Sequence, residues 1–452
     1  MASVVAFLAG GCETTPVPES EANYVAGTLI QFTGDAANPN GAWCWFQDER
    51  VIVNTHDMSD PVLMFTAISA STDDEEEQGD LDFYWYGLES GQRGVVELHD
   101  QLGQDDHNVA ALFQLPNGQT LAAYARHNKD TNTYSRLSDE DNPAAWSEVR
   151  TYEGAAKATY NNLLTAGHDK KLLNFSRLQG WDPNFLVYDE TSGNWQDGGR
   201  LLNSEGRPYV NYAGSADGKK IHVVATDQHP RNADNSIYHG VTDGETLSGS
   251  QGRVLDRDLS DQDAVEPTAF TLVFEGDADN VAWMADVEID DNDQPVIAFS
   301  VQKDGRGLPQ GSGGLDHRYH LARLGPGVWQ QYEIAYAGER LYPREDDYTG
   351  LVAIDPEDVN HLVISTNADP VSGEPLISRA DQRRHYEIFE GKSSDGGKTY
   401  VWQALTRSST VDNIRPIIPA WKSDQRVVLW LRGSYTTYTD FDTQIVGVIQ
   451  TR

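Results

Sequence analysis

The stretch HNVAALFQLPNGQTLAAYARHN, residues 107–128, opens and closes with the same His-Asn step. Asn117-Gly118 between two apolar runs is the signature of a β-hairpin turn. A two-residue turn sets His107 opposite Asn128 and Asn108 opposite His127, whereas a looser turn centred on Asn117 sets His107 opposite His127. Either register brings both imidazoles to the open end of one hairpin, about 5 Å apart by ordinary cross-strand spacing. Imidazole is the side chain that exchanges a proton near neutrality, so a close pair could move protons to and from a substrate. Asp105, Asp106, Asn108, Arg126 and Asn128 crowd the same end, more polar side chains than a fraying hairpin needs. The following hairpins place Tyr160 near Arg177, and Arg207 and Tyr209 near the level of His229 and Arg231. Guanidinium forks grip carboxylate and sulfate oxygens in pairs. Together these types suit acid–base chemistry on an anionic substrate. Each arginine also has a surface salt bridge as the plainer explanation.

Positioning such residues requires many short strands. From about residue 27 onward, runs of Val, Ile, Leu, Tyr, Phe and Trp alternate with turn clusters, as in NLLTAGHDKKLLNFSR, YVNYAGSADGKKIHVVATD and VEIDDNDQPVIAFSV. Helical periodicity is nearly absent. Hairpins at regular spacing over so long a chain suit a β-propeller with four-stranded blades better than a sandwich, and about 60 residues per blade gives seven blades. The fold expected is therefore all-β, a seven-bladed propeller forming a single domain over residues 27–452. SSDGGKTY, residues 393–400, fits the Asp-box turn of sialidase-like propellers, and SADGKK, residues 215–220, is a degenerate copy. This motif is a structural turn held by an Asp side chain and says nothing about catalysis.

Composition narrows the partners. With 34 Lys and Arg against 70 Asp and Glu the net charge is −36, which argues against nucleic acid. Cys12 and Cys44 are the only cysteines, too few for a disulfide framework or a Cys-rich zinc site. Residues 1–26 read as an export leader whose apolar stretch ends at Cys12, in the style of a bacterial lipoprotein, followed by a polar tether. The expectation is an exported protein, secreted or held as a periplasmic or outer-membrane lipoprotein by lipid on Cys12, and monomeric.

NGAWCWFQDERVIV, DDHNVAAL, GRPYVNYA with ATDQHPRN, SIYHG, DHRYHLAR and DDYTGLVAID together resemble the propeller-type ulvan lyases, polysaccharide lyases of families 24 and 25. The resemblance runs over most of the chain after residue 27. It implies a seven-bladed propeller that cleaves ulvan, a sulfated rhamnose–uronate polysaccharide, by β-elimination at the uronate C4–O bond. It also implies a catalytic set of two histidines, a tyrosine and an arginine, carried here by His107, His127, Tyr212 and Arg231, with Tyr209 only three residues from Tyr212. Arg231 would neutralise the uronate carboxylate, His107 and Tyr212 would serve as base and acid, and His127 would share or orient these tasks. Asn108, Arg126, Asn128, Arg177, Arg207, Tyr209, His229 and Arg318 are the expected substrate contacts. Such cations would have to line one groove on an otherwise negative body. Trp181, Trp283 and Tyr319 could face sugar rings, though packing between blades is the commoner fate of an aromatic. No cofactor is needed for the chemistry. Structural calcium or zinc occurs in such proteins, with His168 and His239 as conceivable ligands. A glycoside hydrolase on the same fold, using two carboxylates, and a non-catalytic glycan-binding propeller are the alternatives.

Overall fold

Short β-branched and aromatic runs bounded by Gly, Asn and Asp fold as antiparallel meanders, each burying both faces between its neighbours. The computed structural model describes residues 22–34, 38–57, 59–70, 79–305, 308–309 and 311–452. These contain strands and three short 3-10 turns but no α-helix. The strands form seven blades in chain order around a central axis: blade 1 over 41–99, blade 2 over 111–153, blade 3 over 159–200, blade 4 over 210–274, blade 5 over 281–338, blade 6 over 352–404 and blade 7 over 412–451. In blade 2, for example, Ala111–Gln114 is innermost and Arg150–Glu153 outermost. The ring closes through the beginning of the chain. Ile30–Gln31 is the outermost strand of blade 7, with Ile30 opposite Gly447, while Tyr24–Val25 pairs with Thr406–Arg407 beyond blade 6. Residues 24–26, at the end of the expected tether, are thus bonded to the propeller; the leader and Cys12 lie outside the described residues.

The Asp-box folds as its sequence demands. Asp395 Oδ1 accepts the backbone N–H groups of Lys398 and Thr399 at 3.1 and 3.0 Å, and Ser393 Oγ accepts that of Gly397 at 2.8 Å. Gly396 and Gly397 take φ of +77° and +87°, which glycine adopts without strain. In SADGKK, Asp217 and Ser215 make the same kind of bonds to Lys219.

Blade 1 departs from the pattern in a way that matters for the site. Its innermost strand is split into Gly41–Ala42 and Val51–Asn54, both paired to Val62–Ser69. The intervening residues 43–50, WCWFQDER, run into the axis and bond to the surrounding blades. Cys44 N donates to Asp106 O, Leu163 N to Asp48 O, Asn211 Nδ2 to Trp45 O, and Trp45 Nε1 to Met284 O. Arg415 of blade 7 donates to Trp43 O. Trp43, Cys44, Trp45, Phe46 and Gln47 are fully buried there. Tryptophan and phenylalanine bury the largest apolar areas of any side chains, so this segment fills the axis and supplies the floor of a cleft above it.

Candidate active site

The hairpin register in blade 2 sets Ala111 opposite Ala123 and Gln114 opposite Thr120, which is the looser of the two turns and projects to His107 opposite His127. The strand itself stops at Ala111. Residues 106–108 coil into a 3-10 turn capped by Asp105, whose carboxylate accepts His107 N. Asn108 ties the two ends of the hairpin together, with Oδ1 accepting His127 N at 2.7 Å and Nδ2 donating to Gly103 O at 2.8 Å. The imidazoles end up face to face, centroids 4.2 Å apart and planes 20° from parallel. Asp105 bridges them, Oδ1 lying 2.7 Å from His107 Nδ1 and Oδ2 2.9 Å from His127 Nδ1.

Blade 3 contributes a tyrosine and an arginine. A bulge between Thr159 and Asn162, with Tyr160 at φ +59°, turns the Tyr160 ring towards the axis. It stands 5.7 Å from the His107 ring and 5.8 Å from that of His127. Thr159 pairs with Arg177, whose guanidinium lies 4.8 Å from the Tyr160 ring centre and 4.4 Å from that of Tyr209. Arg177 donates to Pro208 O at 2.5 Å, makes no ion pair with a carboxylate among the described residues, and keeps Nη1 buried without a partner. Arg207, also without an ion pair among the described residues, lies against Trp181 and Tyr209. Trp181 is 42% exposed at the mouth. Beneath them Trp45, Trp283 and Tyr348 pack edge-on, Phe46 lies tilted against Trp45, Trp283 and Tyr209, and His229 leans on Tyr209 and Trp283.

These surroundings set the charges. Burial opposes ionisation of Asp105, but the charge and hydrogen bonds of His107 and His127 outweigh it and hold its carboxyl well below the usual range. Burial likewise opposes a charged His107, but the neighbouring Cys44, Tyr160, Asp105 and Asp106 outweigh it and hold its proton above the ordinary histidine value; of these the two carboxylates carry the negative charge. His127 is shifted down by burial and by the charge on His107, against the pull of Asp105. Burial and the neighbouring Tyr209 keep the Tyr160 phenol protonated far above 10, although His107 and Arg177 pull the other way. Burial and the guanidiniums of Arg207, Arg231 and Arg177 drive His229 far down, so its ring is neutral.

The structure therefore gathers His107, His127, Asn108, Arg177, Arg207, Tyr209 and His229 around one cleft, with Asn108 spent on holding the hairpin. Arg126 is at the rim, donating to Leu102 O and facing Asp130 at 3.8 Å. Asn128 turns the chain there at φ +54°. Arg231 pairs with Glu345 and lines a neighbouring cleft of about 300 Å³ with Gln302, Asp346 and Asp347. Two expected residues are placed elsewhere. Tyr212 belongs to strand Val210–Gly214, where successive side chains point to opposite faces. Asn211 points to the axis and bonds Trp45 O, so Tyr212 points away, stacked on Phe175 at 4.8 Å in the apolar layer between blades 3 and 4. Arg318 lies on the third strand of blade 5, bound to Asp316 and Glu333 and stacked on Tyr336. Tyr319 is wholly buried and donates to Ser365 O. Tyr438 of blade 7 faces the pair with its ring 5.2 Å from that of His107, and Tyr160 and Asp105 flank the two rings. The signals of Tyr160 and Asp105 in the sequence were the pairing of Tyr160 with Arg177 and the acidic step before His107.

Among the described residues three groups bring metal-ligand atoms within 4.8 Å of one another: Cys44 with Asp106 and His107, Asp105 with both site histidines, and His229 with Glu345 and Asp347. In the first two the carboxylates are committed to imidazole and to Arg415. In the third, Arg231 holds Glu345, and Arg207 and Arg231 put positive charge where a cation would sit. His168 is exposed at a turn beside Asp169, and His239 is buried against His222 and Ser250. Within the third set Asp347 keeps both carboxylate oxygens buried without a hydrogen-bond partner, 3.4 Å from His229 Nδ1.

Among solved structures, a family 25 polysaccharide lyase described as an ulvan lyase superposes with a TM-score of 0.66 at 13% identity, covering 94% of this chain and 98% of its own. The same kind of enzyme bound to -[GlcA(1-4)Rha3S]- superposes at 0.64, again at 13% identity with 94% and 98% covered. The polysaccharide lyase Uly1 superposes at 0.55 and 13% identity, with 97% and 94% covered. At this identity the likeness establishes the shared propeller. No curated protein matches the chain in sequence. The profile described as BNR repeat-containing family member matches residues 43–337, well over half of the chain, and places it: this propeller belongs to the BNR repeat-containing family.

Proposed function

We propose that the protein is a polysaccharide lyase that cleaves ulvan at uronate residues by β-elimination. One observation carries the reading. Arg177, buried and without a carboxylate partner among the described residues, is held between Tyr160 and Tyr209 beside a coupled histidine pair. A guanidinium so placed is built to receive an anion. The likeness of the frame to lyases, one of them holding a glucuronate–sulfated rhamnose chain, supports a uronate as that anion.

The proton on C5 of a uronate is too weakly acidic to leave while the adjacent carboxylate is free. Arg177, with the imidazolium of His107, neutralises that carboxylate and stabilises the charge that develops on it. His127 is the neutral and more accessible of the two imidazoles, 18% against 6% exposed, and accepts the C5 proton. Tyr160 keeps its proton in the resting site and delivers it to the oxygen leaving C4. The C5–H electron pair becomes the C4–C5 double bond, so one chain yields an unsaturated uronate end and a new hydroxyl end. The roles first laid on Tyr212 and Arg231 pass in this reading to Tyr160 and Arg177. Arg207 and Trp181 offer a cation and a flat ring to the neighbouring sulfated sugar. No cofactor takes part. Export, with or without lipid on Cys12, suits a monomeric enzyme whose substrate is a large polymer.

Incubation with ulvan, with alginate, pectin and heparin-type controls, tests this. Chain shortening with ultraviolet absorbance from the new double bond is the expected result. Shortening without absorbance would mean hydrolysis, binding without shortening a lectin, and either outcome overturns the proposal.

A further inference from the structure

The histidine pair is not symmetric. Both Nδ1 atoms bond to Asp105, but His107 Nδ1 also stands 2.9 Å from Asp106 Oδ1, and Asp106 is itself fixed by Arg415 and Tyr435. His127 has no second carboxylate among the described ion pairs and lies beside Arg177. Resting on the lyase reading above, we propose that Asp105 is a positioning residue: it holds both rings with hydrogen on Nδ1 and confines the pair to one positive charge, carried by His107, so that His127 is left as the base.

An ionised carboxylate only accepts hydrogen bonds, so each Nδ1 facing Asp105 must carry a hydrogen. A neutral ring in that state has its lone pair on Nε2, and no described residue hydrogen-bonds Nε2 of either histidine. A second charge on the pair would set two imidazoliums face to face at 4.2 Å, in a buried site where like charges repel strongly. The groups around each ring decide which one is charged. His107 faces Asp105, Asp106, Cys44 and Tyr160, with the Tyr438 ring edge-on at 5.2 Å. His127 faces Asp105, His107, Arg177 and the Tyr160 and Tyr438 rings. The coupling makes the two rings a single titrating unit.

The test is the imidazole nitrogen NMR spectrum of the full-length protein as a function of pH, for wild type, Asp105→Asn and Asp105→Glu. Asparagine still caps the turn through its Oδ1, so folding is retained. Wild type is expected to show Nδ1–H on both rings and two well-separated titrations, with His127 neutral at pH 7. Asp105→Asn is expected to lower the His107 midpoint by about one unit or more and to lower turnover on ulvan about 10²-fold with KM within about threefold. Asp105→Glu should recover part of both. A neutral ring carrying its hydrogen on Nε2, or coincident midpoints, in the wild type, or an unchanged spectrum in Asp105→Asn, overturn the proposal. Wild-type spectra decide the point even if the asparagine variant fails to fold. A shifted spectrum in a protein inactive on ulvan would retain Asp105 as the coupling group and remove the lyase reading alone.

Discussion

The cleft holds two kinds of buried histidine. His107 and His229 are similarly shielded from solvent, 6% and 2% exposed, and burial acts on both in the same direction, against charge. They nevertheless settle in opposite states. His107 looks onto Asp105 and Asp106 and stays protonated; His229 looks onto Arg207, Arg231 and Arg177, with the carboxyl of Asp347 at 3.4 Å pushed up to about 7 by burial, and stays neutral. Where two sites share residue type and depth, neighbouring charge decides the protonation state. The acid side and the basin of arginines lie against one aromatic floor, so the cleft presents a proton-handling edge and an anion-gripping edge.

The largest effect is expected where the anion-gripping edge meets the proton-handling one. Arg177→Ala should lower turnover on ulvan about 10³-fold, the loss typical of removing a group that stabilises developing charge, whereas Arg231→Ala, already occupied by Glu345, should cost about tenfold and mainly in KM. Equal losses in steady-state kinetics would erase the distinction between the two arginines. Next comes the tyrosine pair. Tyr160→Phe should reduce turnover about 10²-fold, while Tyr212→Phe, in the apolar layer between blades, should leave it within about twofold.

Stability should sharpen the histidine comparison by sign. His107 has a folded pKa above its unfolded value, so its contribution is full below about pH 6.5 and disappears as pH rises through the folded value. His229 has a depressed folded pKa, so stability is lost as pH falls below about 6.5 and that ring is pressed to charge. His107→Gln should flatten the alkaline limb of Tm against pH and His229→Gln the acid limb, each by about 1–2 kcal/mol. Thermal melts from pH 4 to 9 give the answer. The smallest effect belongs to the exposed Asp-box: Asp395→Ala should lower Tm only slightly and leave turnover untouched.

Much of this was legible in the sequence because its signals are local. Hairpin turns, the seven-blade count, the Asp-box and the meeting of His107 with His127 each depend on residues within one meander. The tyrosine was harder. Tyr209 and Tyr212 both sit at the start of a strand, and an odd spacing sends them to opposite faces, a phase that only the pairing of Asn211 with Trp45 settles. Tyr160 owes its direction to a bulge, which strand alternation does not foresee. Arg231 looked available because Glu345, its partner, is 114 residues away. The axial segment 43–50 could be seen as aromatic-rich, but its place depended on contacts with almost every other blade.

That segment has a kinetic consequence. Trp45 bonds a carbonyl 239 positions later, and Trp43 is held by an arginine 372 positions later. Residues near the beginning of the chain therefore wait, unsatisfied, until the last blade exists, and the closing strand at 30–31 waits with them. Non-local contacts of this span place a long loop-closure cost ahead of their reward, so the ring should fold slowly and as one event. A nascent chain released before residue 415 would carry an aromatic cluster with nowhere to put it. For such a molecule, truncation from the C-terminus removes the partners of the axial segment together with Tyr435 and Tyr438, which stand beside the histidine pair.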